Sequence, residues 1–158
     1  MIKYYTKAWQ DECVRRMQAP EFEAKVKKLN GLFVFRVLDC PDGYDRTMQW
    51  TFSSGKLVDV KYAKGVAPWQ QLRDEPFSTA MIMRATCPYQ MMAALNKGEI
   101  SPLKALTSPH YKLEGNKALL MQLMPAFNAW NQLCSAVEVT YEYSSEEDEQ
   151  NEPPAASS

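Results

Sequence analysis

"GLFVFRVLDCPDGYDRTMQWTFSSGKLVDVKYAKG", residues 31–65, is the stretch on which the fold turns. Its opening, "LFVFRVLD", is β-branched and aromatic, and "CPDGY" is a turn signal. "TMQWTFSSG" then alternates, with Met48, Trp50 and Phe52 on one face and Thr47, Gln49 and Thr51 on the other. After the turn "SSGK", "LVDVKYAKG" sets Val58, Val60 and Tyr62 against Asp59 and Lys61. Three strands with short connections predict an antiparallel meander.

Upstream the period is that of a helix. Ile2, Tyr5, Trp9, Cys13 and Met17 recur every three or four residues and predict an amphipathic helix over 2–17. "APEFEAKVKKLNG" predicts a second helix: Pro20 suits the first turn, Glu21 and Glu23 its positive end and the lysines its negative end. Asn30-Gly31 is the stop.

Downstream, "VAPWQQLRDEP" is a loop or a single helical turn, and "FSTAMIMRA" a fourth strand apolar enough to be buried. "TCPYQMMAALNKG" predicts a short helix capped by Thr86, with Pro88 in its first turn and Gly98 as its stop. "SPLKALTS" adds one or two turns capped by Ser101, "HYKLEG" is a fifth strand, and 117–137 form the last helix. Pro125 lies inside that helix and removes the backbone bond to residue 121, so the helix should bend or end there. Strands are grouped rather than alternating with helices, which argues an α+β fold: one mixed or antiparallel sheet with helices over a face.

The 158 residues suffice for one domain with a single core. The first residues are charged throughout and lack the apolar stretch of a signal peptide, and no run approaches the roughly 20 apolar residues of a membrane span. Cys13, Cys40, Cys87 and Cys134 are widely spread without a C-x-x-C pair, and read as free thiols in a reducing compartment. The net charge of −1 conceals an asymmetry. Seven acids and no Lys or Arg lie from Glu138 onward, so the preceding residues carry about +6. "SSEEDEQNEPPAASS" cannot bury enough apolar area to fold, so residues 1–143 are expected to form the domain and 144–158 a disordered acidic tail.

Reactive chemistry is hard to assemble. His110 is the single histidine, there is no H-E-x-x-H, and no glycine-rich nucleotide signature appears. Asp39, Asp42 and Asp45 resemble a calcium loop only faintly, since no Glu closes it. The basic residues are dispersed rather than clustered and form no aromatic-flanked basic motif, which argues against nucleic acid as a partner. What remains is apolar. Leu119, Leu120, Leu123, Met124, Phe127, Trp130 and Leu133 form a broad stripe on the last helix. Met81, Ile82 and Met83 add to it from the fourth strand, as do Tyr89, Met91, Met92 and Leu95 from the short helix. Such a stripe serves a core as readily as a ligand, and methionine tolerates exchangeable neighbours better than branched residues do.

"FEAKVKKLNGLFVFRVLDCPDGYDRTMQWTFSSGK" (22–56), followed by "LNKGEISPLKALTSPHYKLEGNKALLMQL" (95–123), resembles the sterol carrier protein 2 (SCP2-like) family in the order and spacing of its elements. The resemblance implies a five-stranded mixed sheet covered by helices, with an apolar cavity between them that takes fatty acids, acyl-CoA, sterols or other lipids. Carried over by position, Met81, Met83, Tyr89, Met92, Leu95, Leu103, Leu106, Leu120, Leu123, Met124 and Phe127 would line that cavity. The implied function is a cytoplasmic, non-catalytic carrier with no cofactor or metal. The alternative is an accessory subunit of a lipid- or quinone-modifying enzyme, with Phe127 and Trp130 on a dimer or partner surface. The positive body further suggests transient contact with anionic membrane.

Overall fold

The computed structural model describes residues 1–144; the expected disorder of the tail lies outside the described residues, Ser144 apart. Five strands form the main sheet: β2 (Gly31–Leu38), β3 (Tyr44–Ser53), β4 (Lys56–Val66), β5 (Met81–Pro88) and β6 (Lys112–Gly115). Their spatial order is β4-β3-β2-β5-β6. The meander is antiparallel, β5 runs parallel to β2 with Phe33 beside Met83, and β6 is antiparallel to β5. The sheet is therefore mixed and the fold α+β, as the sequence predicts.

Two strand details depart from that prediction. Val58, expected beside Val60 and Tyr62, is 54% exposed. The register slips between Thr51 and Phe52, so that Trp50 pairs with Val60 but Phe52 with Leu57. The extra residue of this bulge turns Val58 outward and puts Leu57 on the inner face. Thr86 caps no helix. β5 continues through it to Pro88, and its hydroxyl accepts a 2.7 Å hydrogen bond from Arg36 Nε.

The helices are α1 (Lys7–Arg16), α2 (Pro20–Lys25), α3 (Gln70–Asp74), α4 (Tyr89–Lys97), α5 (Pro102–Leu106), α6 (Lys117–Gln122) and α7 (Met124–Ser135). Gly98 ends α4 at φ 79°, a left-handed stop that glycine adopts without strain. Ser101 Oγ accepts from Lys104 N at the start of α5, as expected of that serine. The last helix is two helices. α6 stops at Gln122, and α7 restarts with Pro125 in its first turn, where a missing N–H costs nothing.

The predicted helix over 2–17 begins only at Lys7. Ile2 and Lys3 instead form β1, paired in parallel with β7 (Val139–Thr140) as a separate two-stranded sheet. Tyr143 Oη donates to Tyr4 O at 2.7 Å and closes the same junction.

Alternation sends the two faces of the main sheet to different environments. Phe33, Phe35, Trp50 and Phe52 face α7, where each meets Trp130 edge-on at ring centroid distances of 5.0–6.1 Å. Trp130 is buried by these contacts, which rules it out as a partner surface. The opposite face carries Arg36, Asp45 and Arg84, all buried beneath α3 and the loop after it. Arg36 Nη1 donates to Leu72 O and Arg84 Nη1 to Glu75 O, while Arg84 holds Glu114 through two bonds of 2.8 and 3.1 Å. Asp45 accepts from Arg73 Nε and Nη2 and from the backbone N–H groups of Trp69 and Asp39.

Candidate functional site

Between the inner face of the sheet and the helices lies a half-enclosed cavity of about 110 Å3, counted as the space open to the centre of a water-sized sphere. Its floor is the sheet: Phe35, Trp50, Met83 and Leu113. One wall is α7, through Met124, Phe127, Trp130, Asn131 and Cys134. Met92, Leu95 and Asn96 come from α4, Pro102 and Leu106 from α5, and Tyr111 from the turn before β6. Tyr4, Tyr5 and Trp9 close it from the N-terminal segment.

Local rules explain these placements. In α7, residues 127, 130, 131 and 134 follow at three- and four-residue steps and share one face. The break at Leu123 lets that face align with the sheet independently of α6. Met83 is fixed by its pairing with Gly115, where a side chain could not fit: a Cβ there would lie 2.6 Å from Ile82 O. Tyr5 is held at φ 62°, a conformation unfavourable for an aromatic residue, with its ring stacked 5.3 Å from that of Trp9.

Of the residues expected at the site, Met83, Met92, Leu95, Leu106, Met124 and Phe127 meet around the cavity. The others lie elsewhere. Leu120 and Leu123 are buried in the core, and Tyr89 is buried with its hydroxyl donating 2.8 Å to Tyr141 O. Met81 sits half-buried at the start of β5. Leu103 is 53% exposed, because α5 turns Ala105 and Leu106 inward and so carries Leu103 to the outside.

Sequence pattern alone does not reveal the contributions of Tyr4, Tyr5, Trp9, Phe35, Trp50, Asn96, Tyr111, Asn131 and Cys134. One signal is available in hindsight. Tyr4, Tyr5 and Trp9 are aromatics with polar tips, residues that favour a boundary between apolar walls and a hydrogen-bonding partner.

Nucleophilic chemistry finds little purchase. All four cysteines are buried and free. Burial pushes the Cys40 and Cys87 thiols up to about 12. Burial, reinforced by neighbouring Cys134, pushes Cys13 up as well. Such thiols stay protonated and unreactive at neutral pH. His110 is exposed in the turn before β6 and does not line the cavity. Among the described residues, no group of three or more His, Cys, Asp or Glu is placed to hold a metal ion, and no helix is long and apolar enough to cross a membrane.

A mixed sheet in the order β4-β3-β2-β5-β6, roofed by helices over an apolar cavity, is the fold of sterol carrier protein 2. The crystal structure of a sterol carrier protein 2 superposes with a TM-score of 0.68 at 16% identity, over 86% of this chain and all of that one. The solution structure of a conserved hypothetical protein from Thermus thermophilus, described as possibly a sterol carrier protein, gives 0.67 at 16% identity, over 89% and 93% of the two chains. No protein-family model matches the sequence, and no curated protein matches it. The likeness is thus one of fold.

Proposed function

We propose that the protein is a non-catalytic carrier that holds an apolar or acyl-chain ligand in the cavity between sheet and helices. The observation that carries this reading is the cavity itself, walled by α4, α5, α7 and the N-terminal aromatics rather than filled by them. Native cores leave few voids larger than a water molecule. At roughly 10–15 Å3 of such space per water, this one has room for about seven to eleven. One methylene occupies about as much space as one water, so a chain of some eight carbons fits. At ~0.8 kcal/mol each, its methylenes would contribute about 6 kcal/mol before ordering costs. Longer chains need the flexible side chains of Met83, Met92 and Met124 to move aside, which methionine does readily.

In this reading residues 1–143 are the binding domain and the acidic tail stands outside it. The protein performs no reaction of its own and works in the reducing cytoplasm, in keeping with its four free thiols. The test is mass spectrometry of organic extracts from gently purified protein. A copurifying lipid at near-stoichiometric amount is the expected result, and the amount should fall in Met124→Trp, which takes up part of the cavity. A wild-type protein that retains no lipid and takes up no acyl-chain probe would end the proposal.

A further inference from the structure

The cavity is apolar in bulk, but its polar groups are of one kind. Among the described residues, none of those lining it carries a charge: its hydrogen-bonding side chains are the hydroxyls of Tyr4, Tyr5 and Tyr111, the amides of Asn96 and Asn131, the indole N–H groups of Trp9, Trp50 and Trp130, and the Cys134 thiol. A free carboxylate or phosphate that entered would find no cation, and burying an unpaired charge is far more costly than burying a hydroxyl or carbonyl that can be hydrogen-bonded.

Those groups are also unevenly satisfied. The buried tyrosines that pack elsewhere spend their hydroxyls on backbone carbonyls: Tyr89 on Tyr141 O at 2.8 Å and Tyr143 on Tyr4 O at 2.7 Å. Tyr4 does the same, reaching Met92 O at 3.2 Å. Tyr5 is only 3% exposed, yet its hydroxyl makes no hydrogen bond to any of the described residues. Neither does the hydroxyl of half-buried Tyr111 or the side-chain amide of half-buried Asn131. The Trp9 N–H, fully buried beside Tyr5, has no partner among the described residues. Asn96 donates to Tyr141 Oη at 2.8 Å and leaves its own carbonyl oxygen unused. Polar groups withdrawn from bulk water are normally paired, so hydroxyls and amides left without a protein partner along one cavity are the groups that a ligand's oxygen can answer.

Resting on the carrier reading above, we infer that the ligand is an uncharged amphiphile: an apolar body with a hydroxyl, carbonyl or ester oxygen, hydrogen-bonded by Tyr5, Tyr111 and Asn131, rather than a free fatty acid or a phosphate-bearing lipid. A hydroxyl on such a ligand can accept from one tyrosine and donate to an amide oxygen, so both kinds of unused group are answered.

Trp9, Trp50 and Trp130 line the cavity, so their fluorescence can report binding to the full-length protein. The probes are 1-octanol, methyl octanoate, octanoate and n-octane at neutral pH. The two neutral oxygen compounds should bind at least tenfold tighter than octanoate. Tyr5→Phe and Tyr111→Phe, each of which removes only an oxygen, should weaken 1-octanol by about three- to tenfold and leave n-octane unchanged. Octanoate binding as tightly as 1-octanol would overturn the inference while leaving the carrier reading in place. So would octanol affinities untouched by both substitutions. Failure of all four probes to bind would instead remove the carrier reading and this inference together.

Discussion

The two faces of the five-stranded sheet solve opposite problems with the same strands. On the face toward α7, large apolar and aromatic side chains meet and still leave a cavity. On the face beneath α3, charged side chains are buried and each is answered. Asp45 alone accepts four hydrogen bonds, and Arg84 binds Glu114 and Glu75 O. Apolar packing is non-directional, so one face can lose contacts locally and remain folded. A buried ionic network is directional, and a missing member leaves its partners stranded. The face with looser demands is the one that can leave a cavity and stay folded.

Substitution on the ionic face should give the largest effect. Asp45→Ala strands two backbone N–H groups and the Arg73 guanidinium, and should cost about 3 kcal/mol in urea unfolding. A loss under about 1 kcal/mol would mean that the two faces do not differ as described.

Acid should expose the same contrast. Burial alone would raise the Asp45 carboxyl, but the bonds from Arg73, Asp39 and Trp69 outweigh it and hold its pKa below the ordinary value. Glu114 is likewise raised by burial and lowered further by Arg84. A carboxyl depressed in the folded state contributes stability that is present above its unfolded value, near 4, and is lost as pH falls through the folded one. Wild-type stability should therefore drop below about pH 4, and Asp45→Ala should show a shallower slope. Identical slopes would assign acid sensitivity elsewhere.

A third test compares tolerance of volume. Met124→Trp adds bulk where space exists, so stability should stay within about 1 kcal/mol of wild type while affinity for an acyl-chain probe falls about tenfold, or ~1.4 kcal/mol. Val34, buried between Gln49 and Arg84 on the ionic face, has no such space. Val34→Trp should cost more than Met124→Trp, by roughly 1–3 kcal/mol or above. Equal costs would make the cavity no more yielding than the packed face.

The smallest effect belongs to neither face. We propose that removing residues 144–158 leaves the melting temperature within about two degrees. The truncated chain should also bind anionic liposomes more strongly than the full chain at low ionic strength, since five acids leave with the tail. The gap should close as the screening length falls to ~8 Å. Equal cosedimentation at low salt would deny the tail any electrostatic role.

Local pattern reveals the strands, because alternation and turn chemistry act within a few residues of each other. Pro125 announces its own break, and Ser101 and Gly98 their caps. Val58 misleads because a bulge depends on the register with β3, which no single strand contains. Thr86 misleads because its hydroxyl is taken by Arg36, fifty residues away in the chain. The site is half legible for a related reason. Met83, Met92 and Met124 sit in recognisable apolar stripes, but Tyr4 and Tyr5 reach the cavity through a β1–β7 pairing of two residues each, too short to leave a periodic signal.

That small pairing also shapes how the protein comes to be folded. Ile2 lies against Val139, and Tyr4 is bonded to Tyr143, so a cavity floored by the middle of the sequence is closed by segments nearly a whole chain apart. Contacts of such long separation are entropically the most demanding and form slowly. During synthesis the meander can assemble early, whereas Tyr4, Tyr5 and Trp9 must wait for α7 and β7 to emerge. Until then the aromatic inner face of the sheet stays open to solvent and to other chains, which makes this interval the protein's most aggregation-prone.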